Sequence, residues 1–179
     1  MKKLALALPV LFLLVGLSSC DKVNEKSFSV QLVKDFTIDL EEGETTYNVE
    51  EVVSTLTNAE LNDVKESIIG YSVKSLSYKV WEYSGPETAT MEADIKFERS
   101  TDPTDLVEYA IPSALLADLN ATESRTPIDF NQNQLDKLAQ YFLSGDELNI
   151  KSLGLVSEAP IHMVLQVVMD VEATAEISE

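Results

Sequence analysis

Residues 161–177 read IHMVLQVVMDVEATAEI, and every odd position in this stretch is apolar. The even positions are mostly polar or charged, with Val164 and Val168 as exceptions. A period of two maintained over so many residues predicts one long strand whose odd side chains face a core. This stretch therefore decides the fold class, because it predicts a chain built on β-sheets.

Two further segments alternate in the same way. Residues 28–40 carry apolar side chains at the even positions, and Lys34 interrupts the pattern. Residues 91–97 read MEADIKF, in which apolar odd positions alternate with charged even positions. Both patterns predict strands with one buried and one solvated face.

Residues 69–83 are also strand-like, but their alternation changes phase. Apolar residues hold odd numbers in the first part and even numbers after position 75, which predicts either a β-bulge near Lys74–Ser75 or burial on both faces. Ser84-Gly85-Pro86 is a turn sequence, so we expect Ile69–Phe97 to form a hairpin.

Two shorter strands complete the pattern. One is predicted at Val107–Ile111 and ends at Pro112. The other is predicted at Leu148–Val156 and leads through a turn near Pro160 into the C-terminal strand.

Helical spacing is sparse. Apolar residues spaced i, i+3, i+4 and i+7 before Gly145 predict one amphipathic helix. They are Leu135, Leu138, Ala139 and Phe142. The same spacing after Asn48, with Glu51 in the position of a capping-box partner, predicts a second helix, although its valines also suit a strand. Its apolar residues are Val49, Val52, Val53 and Leu56. A short helical turn is expected at Ser113–Leu119.

Many strands with two distinct faces and few helices favour a mainly β fold. We predict a two-sheet β-sandwich with one or two short peripheral helices. An incomplete β-barrel or an α+β arrangement is the alternative, because alternation does not specify which strands pair.

The N-terminus has the features of an export signal. Lys2 and Lys3 precede an apolar run from Leu4 to Leu17, which is short for a membrane-spanning helix and contains Pro9. Leu17-Ser18-Ser19-Cys20 follows, and it resembles the lipobox of bacterial lipoproteins.

The lipobox resemblance implies a division of the chain into three parts. Residues 1–19 would be a cleaved signal peptide, and Cys20 would receive a diacylglyceryl group and a further acyl chain such as palmitate. Residues 20–26 would be the lipidated cysteine with a charged tether, and residues 27–179 a single β-rich domain. The protein would be anchored to the cell envelope by lipid on Cys20, and we favour the outer membrane over the inner one.

Charge and cysteine content restrict the partners. The chain has 31 acidic and 13 basic residues, and its formal net charge is −18. Nucleic-acid binding needs clustered basic residues, so we expect no nucleic-acid partner. Cys20 is the only cysteine, so the exported domain must be stable without disulfides.

The residue inventory gives little support for catalysis. There is one histidine, His162, on the polar phase of its strand, and no Gly-x-Ser-x-Gly sequence. The acidic segments 41–44 and 102–105 lack the alternating ligands of a calcium loop. We therefore predict no catalytic residues, metal or cofactor, and a chain that is not an enzyme.

Aromatic residues supply the candidate ligand site. Trp81 and Tyr83 share a strand phase, and Tyr71 joins them if the bulge does not intervene. Such a row can stack on sugar rings or pack in a core. Three functions stay open: a non-catalytic domain that binds an envelope protein or builds an assembly, a carbohydrate-binding surface lipoprotein that uses these aromatic residues, and a carboxylate-dependent hydrolase.

Overall fold

The computed structural model describes residues 23–178, which form eight strands and three short helices. The strands are β1 (Val23–Leu40), β2 (Thr46–Val53), β3 (Ile68–Ser84), β4 (Thr90–Arg99), β5 (Asp102–Leu115), β6 (Thr126–Pro127), β7 (Leu148–Val156) and β8 (Ile161–Ser178). The helices are α1 (Ala59–Asp63), α2 (Leu116–Ala121) and α3 (Gln132–Leu143), and 3₁₀ turns occur at Thr55–Thr57 and Lys65–Ser67. Within this part of the chain, no helix has the length and apolar character needed to cross a bilayer. The predicted signal peptide and lipobox lie outside the described residues.

The strands form two four-stranded antiparallel sheets. Sheet A has the order β1-β8-β3-β6, and sheet B has the order β2-β7-β4-β5. Strand β1 pairs with β8, β2 with β7, β3 with β6, and β4 with β5, as if one long hairpin had been rolled around a core. This order is that of an eight-stranded jelly roll. The predicted β-sandwich with short peripheral helices is confirmed.

Strand β8 lies in the middle of sheet A, as its alternation predicts. It pairs residue for residue with β1 over 18 positions and with β3 on its other side. Its odd side chains from Ile161 to Ala175 are buried in the core. Val164 and Val168 are also buried, although they face outward.

The predicted hairpin at Ile69–Phe97 is wrong. Strand β3 belongs to sheet A and β4 to sheet B, so the turn at Ser84-Gly85-Pro86 carries the chain across the sandwich. Alternation gives the buried face of each strand but not the sheet to which it belongs. The predicted bulge is confirmed, because the β3–β8 register shifts between Val73 and Ser75.

The predicted helix at Val49–Leu56 is also wrong, because Thr46–Val53 is strand β2. The spacing of the valines in this segment is compatible with a strand as well as with a helix, and hydrogen bonding to β7 stabilises the strand. The amphipathic helix predicted before Gly145 is confirmed as α3. It begins at a capping box formed by Asn131 and Gln134, and Gly145 follows it with a φ of 75°.

Three boundaries differ from those predicted. Strand β5 continues through Pro112 to Leu115, because β5 is an edge strand and proline has no ladder hydrogen bond to lose on its free side. The following helix α2 consequently begins at Leu116. Strand β1 begins at Val23, inside the segment predicted to be a charged tether.

The sandwich has two ends that differ in their chain connections. The Val23 end contains the start of β1, the end of β8 and the segment 54–67 between β2 and β3. The opposite end, here called the Leu40 end, contains the loops 41–45, 85–89 and 157–160. Helices α2 and α3 pack against β3 and cover the side of the sandwich between β3 and β5.

Candidate functional site

A groove on the outer face of sheet A contains Trp81, one of the three aromatic residues predicted to bind a ligand. The groove has a volume of about 580 Å³ and is open to solvent along one side. We call it the Trp81 groove; it is lined by Lys79, Trp81, Glu123, Ser124, Arg125 and Gln166.

The position of Trp81 follows from the bulge in β3. After the bulge, even residues of β3 face the core and odd residues face outward, so Lys79 and Trp81 lie on the outer face. Trp81 stands directly opposite Val164 of β8, and such pairs share a face of the sheet. The indole therefore lies beside Val164, which is only 5% exposed.

The exposed part of the indole is carbon surface. Trp81 is half-buried, and its Nε1 atom is buried with no hydrogen-bond partner among the described residues. Because the N–H is turned away from solvent, the exposed part of the ring is apolar. Such a surface can stack on a ligand but does not donate a hydrogen bond to it.

The chain between α2 and β6 forms the wall of the groove along β3. Asn120 Oδ1 accepts a hydrogen bond from the backbone N–H of Tyr83 (3.1 Å), and Ile128 N donates to Leu76 O (2.9 Å). Between these two points, Lys79 Nζ donates to the carbonyl oxygen of Glu123 (3.1 Å). The segment is thus held to β3 at three places.

A row of hydrogen bonds crosses the floor of the groove. Arg125 donates from Nε and Nη2 to Gln166 Oε1, at 3.3 and 3.0 Å. Gln166 Nε2 in turn donates to Asp35 Oδ1 of β1 at 2.8 Å. Gln166 thereby holds the guanidinium over the sheet, although Arg125 itself comes from a loop.

The three predicted aromatic residues are not brought together. At Glu82, whose φ is 53°, the β3–β8 register is irregular, and Tyr83 beyond it packs against the core. The Tyr83 hydroxyl donates to the carbonyl of Pro86, and burial raises its pKa, with nearby Glu158 acting in the same direction. A ligand role for Trp81 stays a prediction.

Tyr71 lies in a different cleft. The cleft has a volume of about 220 Å³ and lies at the Val23 end. The ring centroid of Tyr71 is 5.8 Å from that of Phe142, and its hydroxyl is 3.1 Å from Thr55 Oγ1. Tyr71 therefore packs between α3 and the segment after β2, far from Trp81 along β3.

The polar residues of the groove are not among those predicted from the sequence. Lys79 and Gln166 share the outward phase of their strands, and this phase could have marked them. Arg125 carries no such signal, because it lies in a non-repetitive segment whose place depends on β6 pairing with β3.

A second groove, of about 700 Å³, lies on the outer face of sheet B. Its lining includes Glu92, Asp94, Leu153 and Leu155. Tyr47 also borders it, but this ring is buried, with its hydroxyl near Met91 Sδ and Ser152 Oγ. Its acidic and aliphatic surface offers no exposed aromatic face.

The remaining polar residues singled out by sequence have structural partners. His162 Nδ1 lies 2.6 Å from Asp39 Oδ1, and Asp102 Oδ1 accepts hydrogen bonds from Thr104. Asp105 is bound by Lys137 and Tyr141, and the Lys137 hydrogen bond is the main cause of its lowered pKa. Within residues 23–178, histidine and carboxylates form no cluster of three or more that could hold a metal.

Comparison with known proteins gives only distant likenesses. No protein-family model matches the chain, and no curated protein matches it. Among solved structures, that of Desmodium yellow mottle tymovirus is similar with a TM-score of 0.41 and 14% identity, covering 99% of this chain and 97% of that one. The decameric BFDV capsid protein has a TM-score of 0.39 and 8% identity, covering 83% and 99%. With TM-scores this low, these likenesses have no bearing on what the chain binds.

Proposed function

We propose that this chain is a lipoprotein of the cell envelope, anchored through lipid on Cys20, whose jelly roll is a non-catalytic domain that binds carbohydrate in the Trp81 groove. The anchor is supported by the apolar run and by Leu17-Ser18-Ser19-Cys20. The binding role is supported by the composition and shape of the groove. The two parts of the proposal are independent and need separate tests.

One observation carries the binding role: the carbon face of Trp81 is flanked by side chains that donate hydrogen bonds. Sugar rings present apolar C–H faces bordered by hydroxyl groups, so they need an aromatic surface with polar groups at its rim. Trp81 supplies the surface, and Lys79, Arg125 and Gln166 supply polar groups around it. The volume of about 580 Å³ is within the range of small-molecule sites.

The scaffold gives this arrangement a fixed geometry. Lys79, Trp81 and Gln166 belong to two central strands of sheet A, and Arg125 is held by two hydrogen bonds to Gln166. Groups on paired strands lose little freedom when a ligand binds. Carbohydrate binding is therefore favoured here over the other two functions that the sequence left open.

Binding can be followed through Trp81 itself. It is the only tryptophan in the chain, so the intrinsic fluorescence reports on this groove alone. We expect at least one soluble polysaccharide, from a panel of glucan, mannan, xylan and polygalacturonate, to change the emission of the lipidated full chain in detergent in a saturable way. We expect Trp81→Ala to weaken that binding, measured by calorimetry, about tenfold.

Leu155→Ala is the matched control, because Leu155 lines the groove on sheet B and is 49% exposed. It should leave the affinity unchanged. The proposal fails if no polysaccharide gives saturable binding, or if Trp81→Ala binds as tightly as the native chain while remaining folded by circular dichroism.

A further inference from the structure

We infer that the carbohydrate recognised by the Trp81 groove is acidic, a glycan whose sugar carboxylates bind Lys79 and Arg125 while a ring stacks on Trp81. This inference rests on the proposed function and adds the charge class of the ligand. It follows from how the positive charges of the chain are paired.

Most of the described lysine and arginine side chains lie within 4.0 Å of a carboxylate. These are Lys34, Lys74, Lys96, Arg99, Lys137 and Lys151. In a chain with a formal net charge of −18, such pairing is expected. Among residues 23–178, the cations that lack a carboxylate partner are Lys26, Lys65, Lys79 and Arg125, and the last two share the Trp81 groove.

Neutral oxygens hold both groove cations in place. Lys79 Nζ donates to the backbone oxygen of Glu123, and Arg125 donates to the amide oxygen of Gln166. A neutral acceptor orients a cation without cancelling its charge. An ammonium has three donors and a guanidinium five, so both groups keep N–H donors for a ligand.

Three carboxylates lie on or near the groove, and none of them forms an ion pair with its cations. Glu123 lines the groove, but its carboxylate forms no ion pair with either cation. Asp35 lies beyond Gln166 and accepts a hydrogen bond from it. Asp170 and Arg125 attract each other without forming an ion pair, and the Asp170 oxygens accept hydrogen bonds from Ser75 and Gln31. Among the residues that line the groove itself, two are cations and one is a carboxylate, whereas acidic residues outnumber basic ones in the whole chain.

The spacing of the groups fits a uronic acid. Lys79 and Trp81 are two residues apart on one face of β3, which places their Cα atoms about 7 Å apart. A pyranose ring that carries a carboxylate spans a similar length. A ring stacked on the indole therefore brings its carboxylate to the cations, and the charge-assisted hydrogen bonds formed there are stronger than those to a neutral hydroxyl.

The test compares one glycan with and without its charge. The probes are an oligogalacturonate and its fully methyl-esterified form, which share rings and linkages and differ in the carboxylate. Titration of the lipidated full chain should show the acid binding about tenfold more tightly, with the difference shrinking as salt is added. Lys79→Gln and Arg125→Gln should each weaken binding of the acid about threefold to tenfold and weaken binding of the ester by a smaller factor, because only the charge-dependent part of the contact is specific to the acid.

Lys65→Gln is the control, because Lys65 has no carboxylate partner but lies outside the groove. It should bind both probes as the native chain does.

If the ester binds as tightly as the acid, or if only neutral polysaccharides bind, the inference is overturned and the proposed carbohydrate function stands. If no polysaccharide of any charge binds, the proposed function itself fails. If dextran sulfate binds equally well to native chain and Trp81→Ala, while the oligogalacturonate does not bind, the groove cations attract anions in general and the inference is also overturned.

Discussion

At the residue scale, the polar face of sheet A is organised as rows of hydrogen bonds across strands. The clearest row is centred on Asp170 of β8. Its two carboxylate oxygens accept from Ser75 Oγ of β3 (2.6 Å) and from Gln31 Nε2 of β1 (2.9 Å). The Ser75 hydrogen bond is the largest cause of the lowered pKa of Asp170, and Gln31 adds to it. One charged residue thus joins three strands.

Asp170→Asn should make the molecule less stable at neutral pH by about 1 kcal/mol, since hydrogen bonds to a partly exposed carboxylate are worth about that much. The folded pKa of Asp170 is below its ordinary value of 3.8, so its ionised form stabilises the fold above that value. This stabilisation is lost as the pH falls through the folded pKa. Urea unfolding should therefore separate native and variant chains at pH 7, and the separation should be smaller at about pH 3.

Glu92→Gln provides the control for this prediction. Glu92 is exposed on the outer face of sheet B, and in the described part of the chain no ion pair or side-chain hydrogen bond involves it. It should change stability little at either pH. Equal destabilisation by Asp170→Asn at both pH values would show that the charge of Asp170 contributes nothing.

Sequence predicts these residues only where they belong to a repeating pattern. The alternation of apolar and polar residues in β8 predicts from sequence alone that Asp170 and Gln166 lie on the polar face. It cannot show that Arg125 lies over Gln166, because this contact depends on a loop that returns to β3 from the other sheet. Of the candidate site, Trp81 is therefore predicted from the sequence and Arg125 is not.

At the element scale, two charged residues interrupt the apolar faces of their strands, and they form an ion pair with each other. Lys34 occupies a core-facing position of β1, and Glu51 occupies one of β2. The two strands are edges of different sheets, and Lys34 Nζ lies 3.5 Å from Glu51 Oε2 across the open side of the sandwich. Charges pointing inward on edge strands disfavour pairing with another chain. This ion pair argues against assembly through the β1 edge.

Gly154 shows how one pair of strands accommodates an aromatic ring. It stands opposite Tyr47 in the β2–β7 ladder, and a Cβ at position 154 would lie 2.4 Å from ring carbons of Tyr47. Gly154→Ala should therefore displace the buried tyrosine and lower the free energy of unfolding by about 1–3 kcal/mol. Thermal and urea unfolding measure this loss.

Gly70→Ala is the matched control for Gly154→Ala. Gly70 also lies within a strand, has no positive φ, and would place its Cβ in open space. Alanine there should be neutral or stabilise slightly, because it reduces the freedom of the unfolded chain. The packing argument fails if the two substitutions have the same effect.

Elements with a sustained period are the ones that sequence predicts correctly. Strands β1, β4 and β8 and helix α3 have such a period. The valines of strand β2 fit the period of a helix as well as that of a strand. Helix α1 is too short for an apolar face to repeat. Their assignment depends on partners from other parts of the chain, which local pattern does not contain.

At the scale of the whole molecule, the start of β1 determines which end of the sandwich would face a membrane if Cys20 carries the proposed lipid. Strand β1 begins at Val23, so only two residues separate it from Cys20. A fully extended link of this length spans about 10 Å between the Cα atoms of Cys20 and Val23. A lipid on Cys20 would therefore hold the Val23 end close to the bilayer. Trp81 lies near the Leu40 end of β3, so its groove would face away from the headgroups.

Leucines at the two ends can report this orientation. Leu143 at the end of α3 is 50% exposed, and Leu155 at the opposite end of β7 is 49% exposed. Leu143 lines the cleft at the Val23 end, where β7 begins at Leu148. The seven residues from Leu148 to Leu155 rise about 3.3 Å each, so Leu155 stands roughly 23 Å farther from the Val23 end if the sandwich is upright. In lipidated full chain on phosphatidylcholine vesicles, a donor dye on Leu143→Cys should transfer energy to a headgroup acceptor more efficiently than one on Leu155→Cys. Equal transfer from both positions would contradict the orientation.

The lipid anchor has its own test on the same vesicles. A Cys20→Ala chain should not bind them, and if it binds as the native chain does, the proposed lipid anchor is wrong.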